Sequence, residues 1–245
     1  MKAPTIKIKS LMIGYSHESP LNEKRWDLEI GGGTLTAVIG PNGSGKTSFL
    51  RALMGAETLL SGEVLVGTEA ESVESWTCKK ISRFFSYLPQ ESLFDSLQET
   101  ESYLKLAFLP RQGLLGRLST DDISQFDNFA AEFELRAYLK KRLQDLSSGE
   151  RQRVFLGRVF LQPSQVVLLD EPTNHLDPNV VEKTWALLKS KKNKKTMIVA
   201  THDLSQVERH CDSVIVFSGK DLLFSGSVSE YQGRQIKRLV FPLTY

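Results

Sequence analysis

Lys46 and Thr47 close the stretch Gly40-Pro41-Asn42-Gly43-Ser44-Gly45-Lys46-Thr47, a set of residue types suited to holding phosphate. The spacing is G-x-x-x-x-G-K-[ST], in which glycines let backbone N–H groups turn inward around phosphate oxygens that side chains would obstruct. Lys46 can reach the β- and γ-phosphates of a nucleoside triphosphate, and the Thr47 hydroxyl can bind Mg²⁺. From Ser48 the chain runs on as Phe49-Leu50-Arg51-Ala52-Leu53-Met54, with apolar spacing that predicts a helix. Its positive dipole end faces the same anion.

Val166-Val167-Leu168-Leu169-Asp170-Glu171 supplies the acidic half of such a site. Asp170 is placed to hold Mg²⁺, commonly through water, and Glu171 to polarise an attacking water as general base. Two adjacent carboxylates at a strand end can also be an ordinary solvated pair; four preceding apolar residues and a phosphate loop upstream favour the catalytic reading. His202, in Thr201-His202-Asp203 after a further apolar run, falls on the same rim within reach of a γ-phosphate, although taken alone it reads better as a surface or structural histidine. His175, in Pro172-Thr173-Asn174-His175-Leu176-Asp177, competes for that role from beyond the strand end. Gln90 can coordinate Mg²⁺ or orient water. Finally, Leu146-Ser147-Ser148-Gly149-Glu150-Arg151-Gln152-Arg153 precedes a helix expected from about Val154. Its hydroxyls and backbone N–H groups make an anion site or, on spacing alone, a plain helix N-cap.

The elements that must position these groups alternate between strand and helix. Residues 5–15 and 25–30 read as strands around a polar turn at 16–20, and residues 31–33 as a glycine turn into the buried strand at 35–39. Ser61-Gly62 reads as a turn into a short strand, residues 68–80 carry no signal, and 84–88 read as a strand ended by Pro89. Helical spacing then dominates at 97–109, 123–133 and 154–161, with a loop at 109–117. The continuous apolar runs at 166–169 and 196–200 suit parallel strands buried on both faces. Residues 214–217 and 222–224 read as a hairpin. The fold class is therefore α/β, a parallel sheet with covering helices and an inserted all-helical subdomain at about 91–163. The lysine run at 189–195 reads as a solvated helix end that complements the dipole.

Composition narrows the functional classes. At 245 residues the chain is expected to be a single domain, and 31 Lys plus Arg against 29 Asp plus Glu give a net charge of +2, which does not suggest a nucleic-acid binder. Cys78 and Cys211 are far apart and outside any C-x-x-C, as expected of reduced thiols. The alternating apolar and basic residues at the start read as an edge strand and not a signal peptide, and no window approaches a membrane span.

Taken in order, these residues resemble the ATP-binding subunit of ABC transporters. Residues 40–47 match its Walker A motif, Gln90 the Q-loop, 146–150 the signature, 166–171 Walker B, 174–177 the D-loop with Asp177, and His202 the switch histidine. Tyr15, in Ile13-Gly14-Tyr15, resembles the aromatic that stacks on adenine. The likeness covers about residues 5–226; the tail at about 227–245 matches nothing. It implies a P-loop NTPase fold with a RecA-like parallel-sheet core and an N-terminal antiparallel β subdomain. It also implies ATP and Mg²⁺ as ligands, with Thr47, Gln90 and Asp170 at the metal. Two copies, or one copy and a related subunit, pair head to tail, so that Ser147, Ser148, Gly149 and Glu150 close over the ATP held by the partner's P-loop. Two transmembrane permease subunits and an extracytoplasmic substrate-binding protein complete such a system, which places this chain on the cytoplasmic face of the membrane. Two departures stand out: Ser148 replaces a usual second glycine, and Thr47-Ser48 inverts the more frequent order. Weaker similarity in Gly14-Tyr15, residues 146–153 and the loop at 110–122 resembles importers of metal chelates (iron-siderophore, haem or cobalamin). Zinc or manganese import is the main alternative. A soluble ATPase acting on ribosomes or DNA is disfavoured by the single uninterrupted set of motifs, and a kinase would have no use for the signature.

Overall fold

The computed structural model describes residues 2–16, 19–90, 96–112, 116–174 and 176–233, without the side chains of Tyr15, Ser16 and Gly233. The chain begins with β1 (Ile6–Ser16), β2 (Ser19–Pro20), β3 (Trp26–Ile30), β4 (Leu35–Ile39), α1 (Lys46–Leu53), β5 (Leu59–Val66) and β6 (Glu71–Ser72). Next come α2 (Cys78–Phe84), β7 (Phe85–Leu88), α3 (Thr100–Lys105), α4 (Leu109–Gln112), α5 (Thr120–Glu132) and α6 (Ser148–Leu161). The last part holds β8 (Val166–Asp170), α7 (Pro178–Lys191), β9 (Thr196–Ala200), α8 (Leu204–His210), β10 (Ser213–Ser218), β11 (Asp221–Ser227) and α9 (Val228–Gly233).

One sheet runs in the order β11-β10-β4-β9-β8-β7; all neighbours are parallel except the edge strand β11. The apolar runs of β8 and β9 are continuous because both faces of this sheet are covered. Val166, Leu168, Ile198 and Ala200 point to the core shared with α1 and the antiparallel strands. Val167, Leu169, Met197 and Val199 point to the core shared with the helices between β7 and β8. The second sheet, β2-β1-β5-β6 with β3 also on β1, is antiparallel and covers α1 from the other side. The α/β class and the P-loop architecture thus hold. Parallel pairing has one consequence for chemistry: the carboxyl ends of β4, β7, β8 and β9 share one rim.

Between β7 and β8 the described residues form helices, short 3-10 turns and one isolated bridge between Glu99 and Arg142. Phe126, Leu135, Phe155 and Leu104 bury this layer against the sheet. No helix of the described residues is long and apolar enough to cross a membrane.

Several local expectations need correction. Ser61-Gly62 lies inside β5, not in a turn before it. The register of β1 against β5 slips between Lys9 and Met12, and a Cβ on Gly62 (φ +83°) would lie 2.3 Å from Ser10 O and 2.4 Å from Lys9 O. The glycine marks a bulge where two backbones approach closely. Residues 71–84 are structured: Thr77 caps α2 by accepting from Lys80 N–H, and Phe84 belongs to that helix, packed on Trp76. Residues 109–112 are helical, and the 97–109 helix is interrupted by a 3-10 turn at Leu106–Phe108. The helix placed at Val154 begins six residues earlier, at Ser148. In the lysine run, Lys191 pairs with Glu132 and Lys192 with Asp212, so these side chains bind neighbours as well as the dipole.

Candidate functional site

The phosphate loop leaves β4 at Ile39 and enters α1 at Lys46. Gly43 (φ +76°) and Gly45 (φ +95°) adopt left-handed backbone, and a Cβ on either would meet nothing within 4 Å. Their need for glycine is conformational, and the space before them is free. Gly45 is the N-cap of α1 with no side-chain cap, and the first turn holds no acidic residue, so the helix's positive end is left for an anion. Ser44 Oγ is buried without a hydrogen-bond partner among the described residues, a further polar group of the loop left to satisfy.

Lys46 lies almost buried in the loop and donates to Gly40 O at 2.9 Å and Pro41 O at 3.1 Å. Burial lowers its pKa, while the carboxylates of Glu171 and then Asp170 raise it again. Thr47 Oγ1 donates to Asp170 Oδ2 at 2.6 Å. Burial raises the Asp170 pKa; the Thr47 hydrogen bond opposes this, Glu171 adds to it and Lys46 lowers it. These hard oxygen donors, two of them already in contact, fit a small divalent cation of the Mg²⁺ type.

Glu171 follows β8 in a left-handed conformation (φ +48°), rare for a side chain of its size. Its N–H is fixed on Ala200 O at 2.9 Å, the last residue of β9. His202, two residues beyond Ala200, places Nδ1 3.0 Å from Glu171 Oε2. The adjacent parallel strands thus bring together a carboxylate and an imidazole that lie 31 positions apart in sequence.

A cavity of about 330 Å³ is lined by the loop from Asn42 to Ser48 with Gln90, Asp170 and Glu171, and His202 joins it through Glu171. Leu21 and Lys220 complete its wall. Neither was singled out by sequence reasoning, since an isolated leucine and a lysine in a hairpin turn carry no motif. The pairing of β10 with β4 reveals the place of Lys220, and the Leu21 N–H bond to Ile13 O that of Leu21.

The signature residues lie elsewhere. Ser147 and Ser148 are exposed at the start of α6 and do not line this cavity. Ser147 Oγ accepts from Glu150 N–H at 3.3 Å, and Glu150 Oε2 accepts from Ser147 N–H at 2.8 Å, forming a capping box. That backbone donor lowers the Glu150 pKa. Asp177 is the exposed N-cap of α7, accepting from Val180 N–H. Gln152 Nε2 donates to Pro172 O at 2.7 Å, tying α6 to the turn just after Glu171. Tyr15 lies on β1 with its side chain outside the described residues, as is the whole of His175 and the tail from 234 onward. One chain therefore assembles Lys46, Thr47, Gln90, Asp170, Glu171 and His202, and leaves Ser147, Ser148 and Asp177 exposed and Gly149 and Glu150 half-buried, all outside the cavity.

Residues 24–174 match the ABC transporter family. A zinc transport system ATP-binding protein, TroB, of Treponema pallidum (strain Nichols) is 30% identical over 96% of this chain and 86% of its own length. A petrobactin import ATP-binding protein, FpuD, of Bacillus anthracis is 27% identical over 97% of this chain and 86% of its own. Among solved structures, an ATP binding subunit of an ABC transporter superposes with a TM-score of 0.80 at 22% identity, over 95% of this chain and 93% of that one.

Proposed function

This chain belongs to the ABC transporter family, and from that footing we propose that it is the ATP-hydrolysing, energy-coupling subunit of a membrane importer. The observation that carries the reading is the Glu171–His202 contact of 3.0 Å beside the phosphate loop. ATP lies with its phosphates along the loop, held by N–H groups from residues 43–48 and by Lys46. Thr47, Asp170 and Gln90 would hold Mg²⁺, which would supply charge neutralisation to the phosphates. A water beside Glu171 gives its proton to the carboxylate as its oxygen bonds to the γ-phosphorus. The bond from that phosphorus to the bridging oxygen breaks, and ADP and phosphate leave. His202 holds the Glu171 carboxylate in line and reaches the γ-phosphate from its exposed side.

Ser147, Ser148, Gly149 and Glu150 act on the ATP of a second copy or a related subunit, with Asp177 at the same junction. Their placement outside the chain's own cavity supports this reading. Closure on ATP and reopening on hydrolysis then move the helices between β7 and β8 against the core, with Gln90 at the joint. Two transmembrane permease subunits receive the motion on the cytoplasmic face of the membrane, and an extracytoplasmic binding protein delivers the substrate. The substrate class we favour is a metal chelate such as an iron-siderophore, haem or cobalamin, in line with the petrobactin relative. The zinc system relative at 30% identity favours a bare metal ion as the second reading.

The test is purification of the tagged chain from its native membrane in mild detergent. Recovery of a polytopic membrane protein is expected, and its transport of chelate or free metal separates the two substrate classes. Recovery of ribosomes or nucleic acid instead would overturn the importer assignment.

A further inference from the structure

The turn between β10 and β11 stands against the phosphate loop because β10 pairs with β4, Val216 lying opposite Ile39. The approach is close: a Cβ on Gly40 would sit 2.6 Å from Phe217 O. Asp221 ties this turn to the segment before β3, its Oδ1 accepting from the N–H groups of Glu23 at 3.0 Å and Lys24 at 2.8 Å. That segment is fastened on its far side as well. Fully buried Asn22 accepts from Ile13 N–H at 2.9 Å and donates to Leu11 O at 3.0 Å and Lys24 O at 2.6 Å. Leu21 N–H donates to Ile13 O at 2.7 Å. The outcome is a braced wall that presents Leu21 and Lys220 to the same cavity as the phosphate loop.

The two lysines of this cavity differ in state. Lys46 is nearly buried and its ammonium is occupied by two loop carbonyls. Lys220 is exposed, and no hydrogen bond or ion pair holds its ammonium among the described residues. Asp221, the adjacent carboxylate, is directed to backbone N–H groups and not to that ammonium. A cation with no ion-pair partner among the described residues, on the rim of a cavity built for a polyanion, has an evident partner there.

We propose that the β10–β11 turn is a working wall of the nucleotide site, in which Lys220 supplies a second ammonium to the phosphate chain of bound ATP and Asp221 is the positioning residue that holds it there. The inference rests on ATP being the ligand of this cavity. Lys220 sets affinity and Glu171 sets turnover, so the two separate kinetically.

The experiment is equilibrium binding of ATP to the whole chain at low and high salt, with steady-state hydrolysis alongside. Lys220→Ala is expected to weaken binding by roughly 3- to 10-fold at low salt, with less effect at high salt because the group is exposed. Lys220→Glu weakens it further, Lys220→Arg restores it to within about 2-fold, and kcat at saturating ATP stays the same. Asp221→Ala weakens binding to a similar degree, and the double variant with Lys220→Ala is no weaker than Lys220→Ala alone. Unchanged affinity in Lys220→Glu at low salt overturns the role of Lys220, and additive losses overturn that of Asp221. Failure of the unaltered chain to bind ATP at all would instead strike the nucleotide reading beneath the inference.

Discussion

Glu171 Oε2 and His202 Nδ1 stand 3.0 Å apart, the carboxylate almost buried and the imidazole largely open to solvent. The pair is a product of strand register. Asp170 lies opposite Ala200 in the parallel β8–β9 ladder, and the Glu171 N–H continues the ladder one step by bonding to Ala200 O. The left-handed turn at Glu171 then directs its side chain along the rim. A strained conformation fixed by a backbone hydrogen bond is the form expected where geometry serves a reaction.

Glu171→Gln tests the base directly, since the amide keeps the shape and an acceptor for His202 while losing basicity. Hydrolysis is expected to fall by about 10²-fold or more, with ATP binding retained. An ATP-bound dimer should accumulate on size-exclusion chromatography because closure is no longer relieved by hydrolysis. Undiminished phosphate release would remove Glu171 from the role.

The parts of the site legible in the sequence are those coded locally. Val166 to Leu169 announce a buried strand and Asp170-Glu171 its chemical end; the same holds for the phosphate loop after Ile39 and for His202 after Ala200. Each needs only its own strand and the next few residues. What the sequence did not disclose depends on distant pairing. Gly62 looks like a turn until the backbone of Ser10 is set beside it. Lys220 joins the cavity through a wall braced between residues 198 positions apart, and no local pattern encodes that. The start of α6 was hidden for a different reason. Ser148-Gly149-Glu150-Arg151-Gln152-Arg153 has no apolar period, so its helicity comes from the Ser147–Glu150 capping box.

Thr47 has a structural part besides the ligand role proposed for it. Its hydroxyl is the donor that Asp170 Oδ2 receives at 2.6 Å in a position where burial disfavours the ionised carboxyl. Thr47→Val keeps the shape and leaves that oxygen without its donor. The nucleotide-free protein should lose about 1–2 kcal/mol in urea unfolding, and Thr47→Ser should recover most of it. Equal stability of the valine and serine variants would refute the donor role.

Lys195 gives a pH signature at the amino end of β9, the end of the sheet away from the nucleotide rim. Burial, and secondarily the like charge of Lys191, lower its pKa from 10.5 to about 8, while its ammonium donates to Gln162 O at 3.0 Å. Between pH 8 and 10.5 the unfolded chain keeps a proton that the native chain has released, so this group makes stability rise with pH across that window and adds no slope below it. Lys195→Met lacks the term. The stability of the unaltered protein relative to Lys195→Met should therefore climb from pH 8 to 10.5 in parallel urea titrations. A flat difference would show that the amine is not desolvated as placed.

Gly149 separates what the single chain needs from what a pair of chains needs. It is the second residue of α6, its φ is not left-handed, and an added Cβ would meet only Leu176 Cδ2, at an ordinary 3.9 Å. Within one chain alanine is therefore tolerated, and helix propensity favours it by up to about 1 kcal/mol. If this helix start closes over the γ-phosphate of a second copy, the added methyl blocks the backbone's approach to the anion. Gly149→Ala should then keep or raise the unfolding midpoint and bind ATP at its own intact phosphate loop, yet lose at least about 10-fold in hydrolysis through misplacement at the closed site. Placed in the Glu171→Gln background it should also prevent the ATP-dependent dimer from accumulating. A double variant that dimerises as fully as Glu171→Gln alone would confine α6 to its capping role and leave the ATP site complete within one chain.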